Sequence, residues 1–256
     1  MPSPPGRRRT FALWWATAAA LWAGFAVLTW LVVTDATAVT SADLRIDTAI
    51  HEFAIDNRWA VNLALALEAI GSVPASFMIV AAASVLLVVH AWRQRQALPA
   101  AAAGFLIVSA AGGALISTLV KHAVDRPRPP WNGVWSLEES PSYPSGHAQA
   151  GFTVWVALGL IALVLVDGRA RRLVAGPLLV LGPMIGASRL VLGVHWPSDV
   201  VGGWLLGGAW LMCCTVLAAM LVPRISPRPA PAADRAAGRT PSPPIPRTPP
   251  STDPGS

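Results

Sequence analysis

Residues 144–199 read PSGHAQAGFTVWVALGLIALVLVDGRARRLVAGPLLVLGPMIGASRLVLGVHWPSD. Two apolar runs, Ala148 to Val166 and Leu173 to Leu190, flank a turn carrying Arg169, Arg171 and Arg172. Each run approaches the roughly 20 apolar residues that a helix needs to cross the hydrocarbon core. A chain that crosses and returns brings His147 and His195, 48 positions apart (195 − 147), to one membrane face. Polar residues gather at that face. Ser145, Gly146 and His147 precede the first run; Ser188, Arg189, His195 and Asp199 close the second.

Working outward, further apolar runs lie at Phe11 to Val33, Val73 to Val89, Leu98 to Val120 and Val200 to Val222. The expected fold is all-α: a polytopic membrane bundle of about six transmembrane helices. Composition agrees, with 54% hydrophobic residues, 12% charged residues and a mean hydropathy of +0.53. Soluble domains carry about 25% charged residues. The segment from Trp59 to Val89 is too long for one span and contains Glu68, Gly71 and Pro74. Ala60 to Ile70 is therefore expected as a helix at the interface or packed on the bundle, since two spans here would both be short.

Charge sets the orientation. Arg7, Arg8, Arg9, Arg93, Arg95, Arg169, Arg171, Arg172, Arg224 and Arg228 all fall on one side of a six-span chain. The positive-inside rule makes that side cytoplasmic. Both termini are then inside and the polar clusters outside, in the plasma (cytoplasmic) membrane of a bacterium. A pI near 10.9 raises the question of nucleic acid, but the basic residues sit in connections without interleaved aromatics, so no nucleic-acid partner is expected. Arg8-Arg9-Thr10-Phe11 resembles a twin-arginine export signal. The apolar stretch behind it is about 23 residues, longer than the 7–15 of a signal-peptide core, and the helix reads as uncleaved.

Three divisions follow: 1–10 as a cytoplasmic N-terminus, 11–222 as the six-span domain, and 223–256 as a cytoplasmic tail. The tail is rich in Pro, Ala, Ser and Thr, and such composition predicts disorder. Residues 36–58 are expected as an outer loop, partly an amphipathic helix. Cys213 and Cys214 are adjacent in an apolar run, with no His or carboxylate near enough to suggest a metal.

The chemistry concentrates in three clusters: Lys121 to Arg128-Pro129, Ser145-Gly146-His147, and Ser188-Arg189 with His195 and Asp199. Lys121 is the only lysine among 19 basic residues; it offers a point charge, whereas arginine offers a planar fork for two phosphate oxygens. Pro127 and Pro129 stiffen the backbone around Arg128. Ser145, Gly146 and His147 should present free N–H groups at a helix N-terminus, where an anion is favoured. Pro197 suits a first helical turn. If that turn is helical, Asp199 can hold one imidazole nitrogen of His195 and leave the other free to attack. His51, His90 and His122 read as structural, and Asp125, Arg126, Glu138 and Glu139 as solvated loop charges.

These spacings, K-x₆-R-P, S-G-H and S-R-x₅-H-x₃-D, resemble the superfamily of type 2 phosphatidate phosphatases and vanadium haloperoxidases, in its integral-membrane lipid phosphatase branch. The motifs cover Lys121 to Asp199, and the six-span plan extends the likeness to Phe11 through Val222. The resemblance implies that Lys121, Arg128 and Arg189 hold phosphate oxygens, assisted by Ser145 and Gly146. His195 would be the nucleophile, Asp199 its polarising partner, and His147 the acid for the leaving oxygen. No metal and no cofactor are implied, and the expected partner is a membrane lipid phosphate or diphosphate: phosphatidate, phosphatidylglycerol phosphate or a polyprenyl diphosphate. A phosphotransferase on the same fold is the alternative; a non-catalytic lipid-binding protein is the weaker one.

Overall fold

The computed structural model describes residues 5–225, with side chains over 9–221. The expected tail falls outside the described residues, although the last helix continues to Ile225. The regular elements of the described residues are all helices: α1 (Pro5–Val33), α2 (Thr37–Asp56), α3 (Arg58–Gly71), α4 (Val73–Gln94), α5 (Ala97–Val124), α6 (Gly146–Leu165), α7 (Gly168–Val191) and α8 (Pro197–Ile225). Six of these helices, α1 and α4 to α8, are long and apolar enough to span a bilayer. The shortest has 20 residues, or about 30 Å of helix. Large apolar side chains point outward along them, including Trp30, Phe77, Leu115 and Leu173. That much exposed apolar surface marks contact with lipid. The chain is an integral membrane protein.

Helix α6 is packed against α5, α7 and α8, and small residues permit the close approach. A Cβ on Gly182 of α7 would fall 2.9 Å from the Gly151 carbonyl of α6. Gly203 and Gly207, one turn apart on α8, face the α6 backbone at Ser145 and Gln149. This is the small-xxx-small device of membrane helices, where packing rather than the hydrophobic effect holds helices together.

The ends of these helices are set locally. Ser145 caps α6, its Oγ accepting from Ala148 N at 3.4 Å, and Ser72 caps α4 in the same way. Asp125 stops α5 in the left-handed conformation, with φ 47°. Gly193 has φ +67° between α7 and α8, and a Cβ there would lie 2.7 Å from Trp131 Cβ. Only glycine suits both demands, and the turn it makes delivers His195 to the start of α8.

Helices α2 and α3 are the two that do not span. As expected, α3 is separate and packs on α7. Residues 36–58, expected to be partly helical, are helical over nearly all their length. The buried face of α2 is polar, made of Asp43, Asp47 and His51, while Leu44, Ile46, Phe53 and Ile55 face out. This reversed amphipathicity fits a helix lying at the membrane surface, with its apolar face toward lipid and its polar face covering α7 and α8.

Candidate active site

The three polar clusters converge. Lys121 ends α5, Arg128 lies on the loop 125–145, Gly146 and His147 open α6, and His195 precedes α8; all five line one cavity of about 210 Å³. Asp199 stands behind His195. Its Oδ2 is 3.4 Å from His195 Nδ1 and accepts from Trp196 N at 2.9 Å. On the other side of the ring, Arg128 Nη1 lies 3.2 Å from His195 Nε2. A guanidinium only donates, so this contact assigns the lone pair to Nε2 and the proton to Nδ1, facing Asp199.

The ring is fully enclosed. Burial first, then Arg128, Arg189 and Lys121, hold His195 well below the usual histidine range. A neutral imidazole with its lone pair on the cavity side, here accepting from Arg128, is the protonation state a nucleophile requires. The arginine is itself held firmly: Arg128 donates to the Ser140 carbonyl at 2.7 Å and to the Val194 carbonyl at 2.6 Å. Lys121 Nζ donates to the Pro141 carbonyl. Arg128 therefore reaches the cavity from the loop and Lys121 from the last turn of α5, and both are tied to carbonyls of that rigid loop.

That rigidity has identifiable sources. Asn132 closes the loop on both sides of Glu138, accepting from its N–H at 3.1 Å and donating to its carbonyl at 2.9 Å. Tyr143 is buried against Phe25 of α1, with its hydroxyl 2.9 Å from Thr29 Oγ1.

Three residues differ from the expectation. Ser145 is fully buried and outside the cavity lining; its hydroxyl caps α6 and its N–H donates to the Asp199 carbonyl at 3.0 Å. It ties α6 to α8. Glu138 is no solvated loop charge. Its Oε1 receives Arg189 Nη2 at 2.7 Å and lies 3.9 Å from His147 Nδ1, and its Oε2 is 3.9 Å from Arg128. Arg126, also expected in solvent, is only 11% exposed and pairs with Asp43 and Asp199. In both cases the partner sits far along the chain, so local sequence gave no indication of it.

Arg189 is fully buried and holds two carboxylates, Glu138 and, at 2.5 Å, Glu68 of α3. Glu68 also accepts from Ser136 Oγ at 2.7 Å. Burial works against its charge, but Arg189 and Ser136 outweigh it and keep its carboxyl below the usual range. The sequence did carry a signal for Glu68, a lone acid in an apolar stretch, which is functional by default near a membrane. Ser188, the remaining motif residue, donates to the Ile185 carbonyl at 2.7 Å within its own helix.

Glu68, Glu138 and His147 offer ligand atoms within 4.8 Å of one another, the one such trio among the described residues. Both carboxylates already bind the Arg189 guanidinium, whose fixed charge opposes a metal cation there. The same fixed charges suit an anion with several oxygens.

Comparison with known proteins agrees with this geometry. Residues 102–222 match the family model described as PAP2 superfamily. An undecaprenyl-diphosphatase of Sulfolobus acidocaldarius is 35% identical over 88 residues, 33% of this chain and 38% of that protein. A decaprenylphosphoryl-5-phosphoribose phosphatase of Mycobacterium tuberculosis is 36% identical over 119 residues, 45% of this chain and 58% of that protein. The chain thus spans between about a third and three-fifths of the length of such curated relatives. The crystal structure of a transmembrane PAP2 type phosphatidylglycerolphosphate phosphatase from Bacillus subtilis superposes with a TM-score of 0.66 at 22% identity, covering 82% of this chain and 98% of that one. The match to the PAP2 superfamily runs over residues 102–222, just under half of the chain, and takes in all three polar clusters.

Proposed function

We propose that the protein is a metal-independent phosphohydrolase that removes phosphate from a membrane lipid phosphate or diphosphate through a phosphohistidine at His195. The observation that carries this reading is a polar chamber joined to an apolar one. Val73, Ala114 and Ala150 line both the 210 Å³ cationic cavity and a neighbouring cavity of about 460 Å³ between α4, α5 and α6. The second is lined almost wholly by side chains such as Phe77, Val80, Ile107 and Val154. A phosphate group with an acyl or prenyl tail matches that pair.

In the proposed cycle the phosphate displaces Glu138 and takes its place against Arg189, Arg128 and Lys121, with the Gly146 N–H at the head of α6. Nε2 of neutral His195 attacks phosphorus in line. The P–N bond forms, the P–O bond to the lipid breaks, and His147 gives its proton to the leaving oxygen. Water then attacks phosphorus, His147 takes a proton from it, and inorganic phosphate leaves with His195 neutral again. Fixed cations and N–H groups supply the charge stabilisation that a metal would otherwise provide. Asp199 keeps the imidazole in the Nδ1–H tautomer throughout.

Residues 11–222 form the catalytic membrane domain in this reading, and 1–10 and 223–256 lie in the cytoplasm. The site faces outward from a bacterial cytoplasmic membrane. The test is phosphate release by purified protein from a panel of phosphatidate, phosphatidylglycerol phosphate and polyprenyl diphosphate. Release without added alcohol separates hydrolysis from phosphotransfer. Rapid quench with labelled substrate should trap an acid-labile, alkali-stable label that His195→Ala abolishes, with a turnover loss of at least the roughly 10²–10⁴-fold of one catalytic group. Full turnover in His195→Ala would refute the mechanism.

A further inference from the structure

Arg126 makes a set of contacts that the proposed cycle does not use. Its guanidinium bridges two carboxylates from different helices: Nη1 donates to Asp199 Oδ1 at 2.6 Å and Nη2 to Asp43 Oδ2 at 2.8 Å. Nη1 also lies 2.7 Å from Ser198 Oγ. Asp43, on α2, reaches back to the head of α8, accepting from Ser198 N at 2.9 Å and from Ser198 Oγ at 2.5 Å. The Trp196 ring covers the guanidinium at 5.6 Å. The three side chains are 4%, 11% and 0% exposed for Asp43, Arg126 and Asp199.

The division of the Asp199 carboxylate matters. Oδ1 faces Arg126, while Oδ2 faces His195 Nδ1 and Trp196 N. A buried, ionised carboxylate without a cation is costly, and neutralises or rotates instead. Either response would release the imidazole proton at Nδ1. Arg128 and Lys121 are spoken for on the far side of the ring, bound to loop carbonyls. Asp47, one turn from Asp43, adds a further acid to the same region.

Resting on the phosphatase reading, we infer that Arg126, held in place by Asp43, is a positioning residue that keeps Asp199 ionised and aimed at His195, and so sets the tautomer of the nucleophile. It touches neither substrate nor the reacting nitrogen, and acts through Asp199. Asp43 extends the line of support to α2, so the surface helix contributes to the chemistry by fixing the guanidinium.

The test combines kinetics with a readout that needs no turnover. Arg126→Met should lower kcat on the order of 10–100-fold, the range seen at metal sites when the outer partner that orients a histidine is lost, with KM changed less than about twofold, because Lys121, Arg128 and Arg189 keep their places. Arg126→Lys should recover at least tenfold of that loss. In an Asp199→Asn background, Arg126→Met should cost little more, since residues acting through one another are not additive. Nitrogen-15 NMR of the imidazoles in detergent, with His195 assigned by His195→Gln, should show one Nδ1–H tautomer in the wild type and in Arg126→Lys, and a loss of that bias in Arg126→Met. Asp43→Asn should move tautomer and kcat the same way by a smaller amount, and serves where Arg126→Met does not fold. Equal losses in the wild-type and Asp199→Asn backgrounds, or an unchanged tautomer, would overturn the inference and leave a purely structural staple. A wild type that releases phosphate from no lipid defeats the phosphatase reading alone, because the tautomer still reports on the clamp.

Discussion

Replacing Gly203 by alanine adds one methyl group at the crossing of α8 and α6, and the structure says what it meets. The new Cβ would lie 2.7 Å from the Ser145 carbonyl oxygen, 2.8 Å from Ala148 Cβ and 3.0 Å from Gln149 N. Favourable carbon contacts begin near 3.5 Å, so α8 must retreat from α6 by roughly 0.5–1 Å. Two of the three atoms are main chain, so no side chain can rotate aside. Overpacking of this kind costs about 1–3 kcal/mol. The retreat also stretches the 3.0 Å bond from Ser145 N to the Asp199 carbonyl, which sets His147 against His195. A misplacement near 1 Å can slow a reaction about 10²-fold. Gly203→Ala should therefore lower both unfolding temperature in detergent and kcat, the latter by roughly 10–100-fold. KM should move less, because the cations lie on α5, α7 and the loop. Gly208→Ala, whose nearest atom is Leu21 Cδ1 at 3.6 Å, is the control and should be tolerated. A Gly203→Ala protein with wild-type stability and kcat would refute this account of how His147 and His195 are brought together.

Burial, opposed by the nearby Trp131 N–H and reinforced by Asp43 and Asp199, pushes the Asp47 carboxyl up to about 7. An unfolded aspartate ionises near 3.9, so between about pH 4 and 7 only the native state keeps the proton and stability falls as pH rises, levelling off above about 7. Asp47→Asn should thus raise the unfolding temperature more at about pH 7.5 than at about pH 5; the same gain at both would show that ionisation is not the cause. For sidedness, single cysteines at Leu137 and Ser251, in a background lacking Cys213 and Cys214, should differ: an impermeant thiol reagent should label only position 137 in intact cells, and the reverse pattern would overturn the orientation. Vanadate, which takes the five-coordinate geometry of phosphoryl transfer, should inhibit, and chelators should not. Activity lost to EDTA and restored by Mg²⁺ would refute metal independence.

What the sequence determined by itself follows from local physics. Twenty apolar residues make a span whatever surrounds them, so the six helices were legible. So were the starts of α6 and α8, because Ser145 and Pro197 act within one turn. With topology known, His147, His195, Lys121 and Arg128 could only meet at one face. The tertiary structure decided the charge pairing. Arg126 meets Asp43 and Asp199 from 83 and 73 positions away, and Arg189 meets Glu68 and Glu138 from 121 and 51. No local propensity distinguishes Arg126 or Glu138 from a solvated loop charge. The polar inner face of α2 was hidden for a related reason: Asp43, Asp47 and His51 are visibly four apart, but which face of an amphipathic helix turns inward depends on whether water or lipid lies outside it.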